Sequence, residues 1–115
     1  MSDPLLASSS PPLTAALGDL SRRLRERFGE ALLDLRLFGS YARGEAHEDS
    51  DVDVCVVLAE VDWSRQGAVI DLAADVGLAH GLSISPTVFD RTTFERWRAQ
   101  GRALVIDIER DGIRL

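Results

Sequence analysis

The run Asp51-Val52-Asp53-Val54-Cys55-Val56-Val57-Leu58-Ala59 constrains the fold more than any other part of the chain. It reads as a strand, and from Val54 onward it is apolar at consecutive positions. Alternate strand residues point to opposite faces, so a strand without alternation must be buried on both. Such a strand is usually central in a sheet with helices on both sides.

The flanking segments supply the covering layers. Leu13, Leu17, Leu20, Leu24 and Phe28 recur at helical spacing, and Gly29 offers a stop. Leu33, Leu35 and Leu37 alternate with Asp34 and Arg36, which predicts a half-buried strand over 31–38. Val69, Leu72, Ala73, Val76 and Ala79 mark a helix from about Ser64 to His80, stopped by Gly81. Leu82 to Phe89 reads as a third strand, with Pro86 indicating an edge or an interrupted ladder. Thr92 or Thr93 opens a short helix through Trp97. Ala103 to Arg110 fits two periods: a helix with Leu104, Val105 and Ile108 inward, or a strand with Leu104, Ile106 and Ile108 inward. Asp111-Gly112 then turns into a last short strand, Ile113 to Leu115. The expectation is an α/β (α+β) fold, a small mixed sheet flanked by helices.

Residues 1–12, with Pro4, Ser8-Ser9-Ser10 and Pro11-Pro12, read as a flexible leader, and 13–115 as a single domain. A chain of 115 residues that is 45% hydrophobic is expected to fold. All 13 basic residues are arginine, which excludes a lysine nucleophile or Schiff base. Cys55 is alone, so neither an internal disulfide nor a thiolate metal cluster is available. A formal charge of −6 disfavours stable nucleic-acid binding. Arg22, Arg23, Arg25 and Arg27 are read accordingly as a solvated face that complements the end of their helix. With no signal-like start and no membrane-length apolar run, the expected location is cytoplasmic.

Between the first two strands lies Gly39-Ser40-Tyr41-Ala42-Arg43-Gly44-Glu45-Ala46-His47-Glu48-Asp49-Ser50-Asp51-Val52-Asp53. Gly39 falls where a strand must turn sharply or approach a ligand. Ser40 opens a short helical turn, where a hydroxyl beside free backbone N–H groups grips phosphate. Asp51 and Asp53 are two apart on a strand, so their carboxylates share a face and repel unless a cation lies between them. Oxygen donors of this kind suit Mg²⁺ or Mn²⁺ held jointly with substrate phosphates. Arg43 is read as a further phosphate contact, with Glu45 or Asp49 as its alternative partners. His47 reads as solvent-exposed, His80 as a helix-dipole partner, and Cys55 as a small core residue. Tyr41 is explained as well by packing as by the adjacent phosphate grip. Trp63 and Trp97 are left open between core and interface.

Gly-Ser followed ten residues later by Asp-x-Asp resembles the signature of the nucleotidyltransferase superfamily that includes polymerase beta. GSYARGEAHEDSDVDVCVVL is similar to its minimal members, the MNT domains, and the likeness runs from about Thr14 to Leu115. It implies a nucleotidyltransferase fold, with Gly39 and Ser40 on the triphosphate and Asp51 and Asp53 on divalent metal. It also implies a role as the antitoxin of a HEPN/MNT pair, moving AMP from ATP to a hydroxyl of the HEPN ribonuclease. Homo-oligomerisation is left open. Active members place a third carboxylate on a later strand. The matching position here is Ser85, with Asp90 just beyond it on the opposite face, so the alternative is a weak or inactive fold that neutralises its partner by binding alone.

Overall fold

A computed structural model describes residues 11–47 and 49–115; residues 1–10 of the expected leader lie outside it. Helix α1 (Pro11–Phe28) leads through a 3-10 turn into β1 (Leu32–Phe38) and the short helix α2 (Gly39–Ala42). There follow β2 (Val52–Leu58), α3 (Trp63–His80), β3 (Ile84–Asp90), α4 (Arg91–Ala99), α5 (Ala103–Asp111) and β4 (Ile113–Arg114). The four strands form one sheet in the order β3-β2-β1-β4. β1 runs antiparallel to β2 and to β4, while β2 and β3 are parallel, so the sheet is mixed.

β2 is central, as its unbroken apolar run predicts. Six of its seven residues are buried, and Asp53 is the exception. Val52, Val54, Val56 and Leu58 face a core completed by Leu13, Leu17, Leu20 and Leu24 of α1 and by Val69, Ala73 and Val76 of α3. Cys55 and Val57 face a second core with Phe38, Phe89, Phe94, Val105 and Ile108, which α4 and α5 close. Pro86 lies in β3, an edge strand, where its missing N–H costs no ladder bond on the open side.

The helix ends follow local chemistry. α1 begins at Pro11, two residues ahead of the expected start, because proline is tolerated in a helix's first turn. Asp62 caps α3 by accepting from the Arg65 N–H at 2.8 Å. Gly81 closes the same helix with φ of 71°. The two-period tail is a helix: Val105 and Ile108 are buried, whereas Ile106 is 46% exposed. Trp97 packs edge-on against Phe89, with the Arg102 guanidinium over its ring. Trp63 is 90% exposed and belongs to neither core. His80 does more than complement a helix end, since its Nε2 lies 3.1 Å from Asp19 Oδ2 and ties α3 to α1.

Candidate active site

The site forms where β1 ends, β2 begins and β3 begins. In register, Asp53 stands between Phe38 of β1 and Ser85 of β3. Gly39 follows Phe38 with φ of +74°, a backbone state that disfavours any side chain. A Cβ there would run into the Asp53 carboxylate, so the β1–α2 turn lies directly against that acid. Ser40 follows in the first turn of α2, where backbone N–H groups have no carbonyl four residues back. Gly44 ends the turn, after Arg43 N–H donates to the Gly39 carbonyl at 3.1 Å and Glu45 N–H to the Ser40 carbonyl at 2.9 Å.

Electrostatics marks Asp53 as a carboxylate held at a cost. Partial burial pushes its carboxyl above the usual range, and the charge of Asp51 pushes it further; Arg43 opposes both. Asp51 is exposed just ahead of β2, and Asp53 is half-buried. A divalent cation between the two would remove the repulsion, and carboxylate oxygens are the donors such a cation prefers. The pair therefore fits the metal that the Asp-x-Asp pattern implies. Arg43 pairs with Glu45 at 3.0 Å on the surface. An exposed pair of this kind contributes about 0–1 kcal/mol, so a phosphate would displace Glu45 readily.

The third corner is neutral. Ser85 is exposed and sits beside Asp53 across the parallel β2–β3 ladder. Asp90 does not substitute for it. It pairs with Leu58 at the far end of β3, and its carboxylate caps α4 by accepting from the Thr93 N–H at 2.6 Å. That bond holds the Asp90 carboxyl below its usual range, as a cap requires. Among the described residues, no three His, Cys, Asp or Glu side chains gather as a metal-binding group. His47 is exposed, and Cys55 is buried in the second core, where burial pushes its thiol up to about 12.

One neighbour is not flagged by the sequence pattern. Asp111 at the end of α5 is held below its usual range chiefly by Arg110, and Arg43 contributes to the same shift. The α2–α5 packing that brings them near is long-range, and no local spacing announces it. The arginines of α1 are also accounted for: Arg22 and Arg23 pair with Asp19, and Arg22 also with Glu26.

Comparison with known proteins supports the fold. The nucleotidyltransferase domain model matches residues 17–102. Two Methanocaldococcus jannaschii proteins named as candidate protein adenylyltransferases, MJ1305 and MJ0141, are each 33% identical. The matches cover 68% and 64% of this chain, but 55% and 72% of those proteins. The protein adenylyltransferase MntA of Thermococcus cleftensis is 55% identical over 40 residues, 35% of this chain and 38% of that protein. Among solved structures, a minimal nucleotidyltransferase superposes with a TM-score of 0.59 at 27% identity, covering 94% of this chain and 99% of that one. A toxin–antitoxin structure with AMP-PNP gives a TM-score of 0.52 at 21% identity, over 83% of this chain and 68% of that chain, and shares the fold. The matched span covers most of the chain, and the chain belongs to the nucleotidyltransferase-domain family.

Proposed function

We propose that this chain is a metal-dependent protein adenylyltransferase, the antitoxin of a HEPN/MNT pair acting in the cytoplasm. The observation that carries this reading is the cradle at Gly39: a side-chain-free turn set directly against Asp53, with Asp51 adjacent. ATP would lay its phosphates along the first turn of α2, held by Ser40, backbone N–H groups and Arg43. Asp51 and Asp53 would hold Mg²⁺ or Mn²⁺, which when bound neutralises charge on the attacking and leaving oxygens. A hydroxyl of the partner attacks the α-phosphorus, a new O–P bond forms, and the bond to the β-phosphate breaks to release pyrophosphate. The hydroxyl proton passes to solvent, because Ser85 offers no carboxylate to take it. The adenylyltransferase names of the relatives support this substrate class, and the acidic chain suits a basic ribonuclease partner better than a polynucleotide acceptor.

The neutral Ser85 favours one second reading, in which the fold neutralises its partner by binding alone. Intact mass separates the two. The protein is incubated with ATP, Mg²⁺ and the protein encoded beside it. An AMP-sized gain on the partner that vanishes with Asp53→Ala is the expected outcome. A stable complex that survives Asp53→Ala, with no mass gain in wild type, would sink transfer and leave binding alone.

A further inference from the structure

The same face of the sheet carries a second feature, at its other end. A cleft of about 370 Å³ opens between the start of β1, the end of β2, α4 and the end of the chain. From Asp53 to Val57, which lines it, β2 advances about 13 Å. Five of the chain's arginines line this cleft: Arg25, Arg36, Arg91, Arg98 and Arg114. Two side-chain carboxylates, Asp34 and Glu95, stand among them. In a protein whose formal charge is −6, a lining in which arginines outnumber side-chain carboxylates runs against the overall balance.

The arginines differ in how firmly they are held. Arg36 is committed to Asp34 at 2.7 Å, and Arg25 donates to the Leu115 carbonyl at 2.8 Å. Arg98 is 54% exposed and makes a 3.3 Å pair with Glu109. Arg114 is 78% exposed and reaches Asp34 only at 3.8 Å. The Arg91 side chain makes no hydrogen bond or ion pair among the described residues. It is also the first residue of α4, where the helix dipole disfavours a cation. An anion seated in the cleft would relieve that cost.

We propose that this cleft binds an acidic, extended segment of a partner polypeptide. The floor and rim choose a peptide over a nucleic acid. Val57 and Phe94 contribute an apolar base, and Leu33, 42% exposed, is available to take an apolar side chain. Phe94 is buried and offers no face on which a base could stack. Asp34 and Glu95 interrupt the cationic lining and repel a continuous polyanion, but they tolerate carboxylates spaced along a peptide. β4 pairs with β1 only at Arg36 and Leu37, so the Leu32–Asp34 edge has no strand neighbour there among the described residues. An extended segment could lie along it, as peptides do on open sheet edges. An arginine fork then takes each carboxylate through two parallel N–H···O bonds.

The test needs neither ATP nor metal, so its failure is separable from failure of the transferase reading. Fluorescence anisotropy would follow a labelled synthetic peptide of about ten residues alternating glutamate and leucine, enough to span the cleft. A glutamine–leucine twin and an oligouridine of similar length serve as comparisons. The acidic peptide is expected to bind in the micromolar range, and its twin roughly tenfold more weakly. Arg91→Ala with Arg114→Ala should weaken it by about tenfold, with the thermal midpoint retained because both side chains are exposed. Amide shifts of the bound protein should concentrate at Leu33 and Phe94 rather than at Gly39. No binding of the acidic peptide, binding indifferent to the double variant, or tighter binding of oligouridine would each overturn the proposal.

Discussion

Gly39, Asp53 and Ser85 meet at one point, and each constrains the others. Position 39 requires glycine twice over: its backbone is left-handed, and the Asp53 carboxylate occupies the space a Cβ would need. Asp53 in turn carries the electrostatic cost of partial burial beside Asp51. A third carboxylate added without metal would deepen that cost. Ser85→Asp, in register with Asp53, is therefore expected to lower the stability of the metal-free protein by about 0.5–1 kcal/mol. Thermal unfolding would show this as a midpoint lower by roughly 2–6 °C. Mg²⁺ should recover the loss in this variant more than it stabilises wild type, because binding to the native state alone raises apparent stability. Transfer of AMP to the partner should rise by ~10²-fold or more, since a positioned base contributes on that order. A midpoint drop that Mg²⁺ does not reverse would show that position 85 lies outside ligand reach.

Asp90 shows how an element's architecture can claim an acid that a linear reading leaves available for chemistry. It ends β3 and caps α4, and both duties hold it at the opposite end of the strand from Asp53. Asp90→Ala should cost about 1 kcal/mol in urea unfolding, the usual loss of a cap, while the rate of adenylyl transfer stays unchanged. A collapsed rate at retained stability would return Asp90 to the catalytic machinery. The elements themselves were legible wherever one period dominated. α1 and α3 came within two residues at their starts, because their apolar stripes are long and a capping residue or proline stands nearby. The Ala103–Arg110 segment was not legible, since Leu104 and Ile108 satisfy both periods. What decides it is Ile106 facing solvent, because α5 packs over the sheet's second face, a fact no local window contains. The carboxylate pair and the Gly-Ser turn were readable because ten residues separate them along one connection. The arginine cleft was not, because its cations come from four separate parts of the chain.

The proposed site and the larger core lie on opposite faces of the sheet. The carboxylate pair and the arginine cleft share the face closed by α4 and α5, whereas the α1–α3 layer behind β2 is held by the larger apolar core. Asp19 is the polar node of that rear layer: it accepts from Arg22 at 2.8 Å and Arg23 at 2.9 Å, and it meets His80 of α3 at 3.1 Å. The Arg23 hydrogen bond, then His80, pull its carboxyl down from 3.8 to about 2. A carboxyl whose folded value is depressed binds its proton more readily when unfolded, so protons favour unfolding in that window. The contribution is complete above the unfolded value and is lost as pH falls from 3.8 toward about 2. Denaturant midpoints measured across the acid range should therefore fall steeply for wild type in that interval. Asp19→Asn should start lower near neutrality, lose less across the same interval, and converge with wild type at its acid end. Because this node lies behind the sheet, the same variant at pH 7 should transfer AMP at the wild-type rate. Parallel wild-type and variant acid limbs would remove Asp19 as the source of the pH dependence, and a slowed transfer would show that the rear layer reaches through β2 to Asp53.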